Sequence, residues 1–208
     1  VASSKRVAGS EIANRIRQRI CLSGGTEGGS VLHEGALAIE FGLSRTPIRQ
    51  VLQRLAYERL VQVQSGVGTI VATLDPEHRA EHKRVAVALL MASADCGQQV
   101  AVPLQARLEI SALAGMLEND GDMDEVAIFD MYAQFLDIMA GLAVDTILED
   151  ALRASQWRLT RWYMHDFAKD PEEGRRRLLG LLQVARQAAE TGDRSGLYTV
   201  VARDVRGR

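Results

Sequence analysis

Between positions 37 and 55 the chain reads LAIEFGLSRTPIRQVLQRL, and few backbones accept that order of residues. Leu37, Ala38 and Phe41 give a short helix one apolar side, Gly42 breaks it and Leu43 plugs the turn. Ser44 is suited to cap a second helix, its hydroxyl accepting from a free backbone N–H of the first turn. Pro47 falls in that same turn, where its missing N–H is not needed. Ile48, Val51, Leu52 and Leu55 recur at helical spacing and define one buried stripe. The opposite face carries Arg45, Thr46, Arg49, Gln50 and Gln53, groups that suit phosphates and base edges. Residues 61–64 and 69–73 are short β-prone runs around Ser65-Gly66-Val67-Gly68, a hairpin signal. Helix, turn, helix, hairpin is a winged helix-turn-helix.

The string Phe41-Gly42-Leu43-Ser44-Arg45-Thr46-Pro47-Ile48-Arg49, with Leu55 and the wing Gly66-Val67-Gly68-Thr69, resembles the DNA-binding domain of GntR-family bacterial transcription regulators. The resemblance covers roughly residues 10–73. It departs at Gln50-Val51, where the family usually has Glu-Ala, and at Arg59, where it usually has Gly closing the recognition helix. A non-glycine residue in a left-handed cap there would cost about 1 kcal/mol. The candidate DNA-facing set is Glu34, Ser44, Arg45, Thr46, Arg49, Gly66, Gly68 and Thr69. Ser44 and Thr46 are expected on phosphates, and the wing on the minor groove or backbone.

A net charge of −2 looks wrong for a DNA binder until the chain is divided. Up to position 75 there are nine basic and six acidic residues, and beyond it sixteen and twenty-one. The basic excess sits with the helix-turn-helix. Cys21 and Cys96 are isolated and fit neither a metal spacing nor a disulfide framework. No stretch reaches the ~18–20 apolar residues of a membrane span, and the N-terminus lacks an apolar leader core, so a cytoplasmic protein is expected.

Two domains are expected, a winged helix-turn-helix over 1–75 and an all-α bundle of six helices over 76–208, giving a mostly α fold. A first helix is predicted over 10–22, with Ser10 as cap and Ile12, Ile16 and Ile20 on one face. The loop 24–29 is glycine-rich, but no Gly-Lys-Ser/Thr follows it, which argues against a phosphate loop. Pro76 is expected to open a helix to about 95 with Val85, Ala88, Leu89 and Ala92 inside. The next, 103–118, should bury Leu104, Leu108, Ala112 and Leu117. A turn is read at 119–122. Helices over 123–142, 145–167, 170–190 and from 194 onward should follow, the first of them burying Phe129, Tyr132, Phe135, Leu136 and Met139.

This helix count and order resemble the FCD effector-binding domain of the FadR subfamily, in its shorter, VanR-like branch. Such domains often hold a divalent metal through an Asp and three His. The matching positions here carry Tyr132, Leu136, Leu182 (or Gly174) and Asp204, so neither a metal nor a cofactor is expected. His78 and His82 stand i,i+4 among charged residues and read as a solvated face; His165 reads as a surface or capping group. An apolar pocket between the helices is expected instead, taking a small organic, carboxylate-bearing effector. Arg84, Tyr132, Arg158, Arg161 and Asp204 are its candidate anchors.

No clustered His/Asp/Ser or Cys/His set points to an enzyme. The expected function is an effector-controlled transcription regulator, by family habit a repressor. It should bind double-stranded operator DNA as a homodimer, with two recognition helices meeting half-sites about 34 Å apart. The alternative is a constitutive DNA-binding dimer with a vestigial effector domain.

Overall fold

The computed structural model describes residues 2–23, 29–120 and 123–207; positions 24–28 of the glycine-rich loop and 121–122 of the turn lie outside them. The elements in order are α1 (Ala2–Leu22), β1 (Val31–Leu32), α2 (Glu34–Glu40), α3 (Arg45–Tyr57), β2 (Val61–Gln64) and β3 (Gly68–Val71). A 3₁₀ turn at Pro76–His78 leads into α4 (Arg79–Cys96), α5 (Leu104–Asn119), α6 (Glu125–Gly141), α7 (Thr146–Phe167), α8 (Pro171–Glu190) and α9 (Arg194–Gly207). The fold is mostly α, a winged helix-turn-helix followed by a helical bundle.

The turns follow from local chemistry. Gly42 takes φ +64°, and the N–H of Leu43 donates back to Ala38 O, closing α2 in a left-handed turn that glycine enters without strain. Helix α3 ends the same way on a residue less suited to it. Arg59 sits at φ +60°, and the N–H of Leu60 donates to Leu55 O. Asp124, Asp145 and Asp170 cap α6, α7 and α8 through their carboxylates. Ser44 occupies the cap position of α3 in extended conformation, but its hydroxyl makes no capping bond.

Four expectations need correction. The first helix starts at Ala2, not at Ser10. A two-residue strand, β1, joins the sheet, whose order is β1-β3-β2, all antiparallel. On α4 the buried residues are Ala86, Val87, Leu90, Ser93 and Ala94, while Val85 is 40% exposed. That helix is apolar nearly all round from 85 to 94, so spacing could not choose the face. Ser93 passes as apolar because its hydroxyl donates to Leu89 O. On α5, Leu104 and Leu108 are 62% and 61% exposed and Ala112 is exposed; Ala106, Ile110, Leu113, Ala114 and Leu117 go inside. The helix carries two apolar stripes, and the bundle uses one.

The two halves share a core. Ile12, Ile16 and Ile20 of α1 pack into the winged unit, and α1 also lies against α6 and α7. Cys21 is buried there, which pushes its thiol up to about 12; Cys96 is exposed, and both are free. Among the described residues no helix is long and apolar enough to cross a membrane.

Candidate functional site

The buried stripe of α3, Ile48, Val51, Leu52 and Leu55, points its other face outward. Ser44, Arg45, Thr46 and Arg49 are all exposed at the helix's N-terminal end. There the unpaired backbone N–H groups add a partial positive charge. Arg49 donates from Nε and Nη2 to the two carboxylate oxygens of Glu34, at 3.0 and 2.9 Å. That hydrogen-bonded fork holds Glu34 below the usual carboxylate range and raises Arg49. The pair is exposed, so it adds little to stability. The carboxylate thus occupies both donors on one edge of the guanidinium.

The wing presents less than expected. Gly66 and Gly68, at φ +78° and +120°, form its exposed tip. Thr69 does not join them: it is 7% exposed, paired with Leu32 on one side and Val63 on the other. The added strand β1 puts it in the middle of the sheet.

The five candidate effector anchors do not converge. Tyr132 stacks on Tyr163 at 4.3 Å and borders a cleft of about 420 Å³ with Arg79, Trp162 and Asp166. Burial raises the Asp166 carboxyl, but the bidentate hydrogen bonds from Arg79 outweigh it and the net shift is downward. Arg158 and Arg161 border a different cavity, about 610 Å³, between the bundle and the winged unit. Arg84 is exposed on α4, and Asp204 is half-buried on α9. Next to Leu136 and Met139 the bundle interior offers only about 20 Å³, room for roughly one water.

The donor set does not fit a transition metal. Tyr132, Leu136 and Leu182 are buried where the FCD comparison would place ligands. At Gly174 a Cβ would come within 2.6 Å of Phe167, so no ligating side chain can stand there. Among the described residues, no three His, Cys, Asp or Glu side chains gather around a point that could hold an ion. His82 is not on a solvated face: Trp162 Nε1–H donates to its Nδ1 at 3.2 Å, and burial lowers its pKa.

Two ties between the halves are not visible in the sequence. Arg17 is 3% exposed and Glu58 5%; the Arg17 guanidinium donates to both oxygens of Glu58 and lies 4.6 Å above the Trp157 ring. Arg161, 4% exposed, donates to the Ala72 carbonyl just after the wing. Both tie the bundle to the winged unit.

Residues 8–71 match the family described as bacterial regulatory proteins, gntR family. The chain is 37% identical over 78 residues to the gluconate operon transcriptional repressor of Bacillus subtilis (strain 168), covering 38% of this chain and 31% of that one. It is 38% identical over 61 residues to the mannosyl-D-glycerate transport/metabolism system repressor MngR of Escherichia coli (strain K12), covering 29% and 25%. The match thus spans less than a third of the curated relatives' length. Those relatives are transcription regulators rather than enzymes. In fold the likeness is wider: E. coli McbR/YncC superimposes with a TM-score of 0.73 over 96% of this chain and 94% of that one, at 19% identity. A GntR-type regulator from Rhodococcus sp. RHA1 gives 0.65 over the same shares, at 18%.

Proposed function

We propose that this chain, with its GntR-type helix-turn-helix, is a transcription repressor that binds double-stranded operator DNA as a homodimer and acts in the cytoplasm. The observation that carries the reading is the exposed N-terminal end of α3. It gathers Arg45, Thr46, Arg49 and an unspent Ser44 hydroxyl, all exposed, and the Gly66–Gly68 wing tip is exposed as well. Repression follows the printed roles of the relatives matched over the same residues. Replacing Arg45 with Ala is expected to cost about 1–3 kcal/mol of specific binding, if its guanidinium reads a guanine. Fluorescence anisotropy on a selected operator at fixed salt measures this, and unchanged affinity sinks the assignment.

A dimer is needed because each chain carries one recognition helix and a palindromic operator offers two half-sites. The second apolar stripe of α5, Leu104, Leu108 and Met116, is the surface we assign to the partner copy. Light scattering should give a dimer at micromolar concentration and a monomer for the paired change Leu104→Glu and Leu108→Glu. A monomeric native chain overturns this part.

The helical half is read as an FCD-like sensor of a small carboxylate-bearing effector. The void beside Leu136, about 20 Å³, is too small for an organic ligand, whereas the cleft of about 420 Å³ that Tyr132 borders is large enough for one.

A further inference from the structure

The cavity between the bundle and the wing differs from the others in its charge. Arg59, Arg158, Arg161 and His82 line it together with Gln62 and Thr73, and among the described residues no carboxylate does. None of these three arginines takes part in an ion pair among the described residues. Arg161 is held by the Ala72 carbonyl; the Nε of Arg158 is buried without a hydrogen-bond partner. Burial and then the neighbouring Arg59 lower the Arg158 guanidinium, with Glu81 opposing from outside the lining. Arg161 is buried, Arg158 is half-buried with an unmade bond, and Arg59 stands exposed at the mouth, so the groove offers donors that further acceptor oxygens can meet.

We propose that this groove is an anion-binding site, taking a small organic molecule with two or more carboxylate or phosphoryl oxygens. Arg158, on α7, and Arg59, just past α3, supply the forks. Arg161 supplies further charge, and Gln62 and Thr73 the polar rim. At about 610 Å³ the groove has room for a metabolite-sized ligand. DNA is the less favoured occupant. Arg59 stands just past the C-terminal end of α3, and Arg45 opens its N-terminal end; at 1.5 Å per residue that is roughly 20 Å away.

The position gives binding a consequence. Arg59 directly follows the recognition helix, Gln62 is on β2, and residues 72–74 join the wing to the bundle. An anion bridging Arg59 to Arg158 ties the end of α3 to α7. A ligand that binds one angle between the halves better shifts operator affinity by that difference, and DNA shifts ligand affinity equally. This consequence rests on the repressor reading; the site itself does not.

The test is calorimetric titration of the full chain with inorganic pyrophosphate and with citrate at constant ionic strength. At least one probe should give saturable heat with one site per chain, and which one separates phosphoryl from carboxylate recognition. Arg158→Gln and Arg59→Gly should each weaken it by roughly tenfold or more, since each removes a charge-assisted bond. Arg59→Gly suits a left-handed position and should keep the fold, so its loss cannot be blamed on unfolding. No saturable heat from either probe, or affinity that survives both substitutions, overturns the proposal. So does a 20-base-pair duplex whose affinity drops with Arg158→Gln while neither anion binds, which would give these arginines to DNA. The titrations contain no DNA, so they fail independently of the Arg45→Ala experiment.

Discussion

Helix α7 meets the DNA-facing half along two seams, and they are opposites. On one side Arg17, Arg54 and Arg153 face Glu58, Asp130 and Asp137 around about 540 Å³, so every cation has a carboxylate to answer it. On the other side Arg59, Arg158, Arg161 and His82 surround about 610 Å³ with, among the described residues, no carboxylate in the lining. In the first seam the charges are met within the chain: Arg17 is bonded to Glu58 and Asn14 and stacked on Trp157, and the unmet group in its lining is the neutral Gln156 Oε1. The second is complete only with something from outside. A buried charge with its partner fixes a geometry, and one without a partner raises the energy of the state that contains it. One seam therefore holds the two halves together, and the other is where their relation can be changed.

The sharpest way to break this contrast is to unbalance the finished seam. Glu58→Ala leaves the Arg17 guanidinium buried against Trp157 with its main partner gone, which should cost about 3–5 kcal/mol. The paired change Arg17→Met with Glu58→Leu should recover most of that loss, because it removes the need for a partner along with the partner. Urea denaturation of the three proteins measures both effects. A loss below about 1 kcal/mol for Glu58→Ala would mean the pair is solvated like a surface bridge, and the seam would lose its distinction.

The open seam should respond in the other direction. Arg59→Gly removes a left-handed non-glycine backbone and a guanidinium facing Arg158. Stability should rise by about 1 kcal/mol, near 2–4 °C in Tm for a chain of this size. Made in an Arg158→Gln background, the gain should shrink to the backbone part alone, and the difference is the repulsion between the two arginines. Equal gains in both backgrounds would show that Arg59 and Arg158 do not feel each other.

How far these features could be read beforehand divides along the same line. The recognition helix and hairpin were legible because glycines and a proline fix turns at set offsets: Gly42, Gly66 and Gly68 all take positive φ. The strained Arg59 was legible too, as a departure from the glycine the resemblance leads one to expect. Thr69 was misplaced because β1, two residues long, has no periodicity to detect, yet its pairing buries the residue. The stripes of α4 and α5 failed for another reason: each helix has two apolar faces, and only the packing partner chooses between them. The seams are invisible to local pattern because Glu58 is 41 residues from Arg17 and Ala72 is 89 from Arg161. A faint signal existed. Arg17 occupies a core position of the 13, 16, 17, 20 stripe on α1, where a solvated arginine does not belong.

The smallest expected effect is one of pH, at the edge of the open seam. Indole N–H is only a donor, so the bond from Trp162 Nε1 requires an unprotonated Nδ1 on His82. Burial first, then Arg158, His78 and Arg161, lower the imidazole pKa, with Glu81 opposing. The folded value therefore lies below the ~6.5 of an unfolded histidine. The unfolded chain takes up the proton first as pH falls. The stability from a neutral His82 is thus full above ~6.5, drains as pH drops through the interval down to the folded value, and is gone below it. Because the ring is only half-buried, solvent screening holds the effect under about 1 kcal/mol. Denaturation midpoints between pH 8 and pH 5 should fall more steeply for the native chain than for His82→Gln. Equal slopes would place His82 in bulk water, and the cavity beside it would then be a wet surface groove in which three arginines need no ligand.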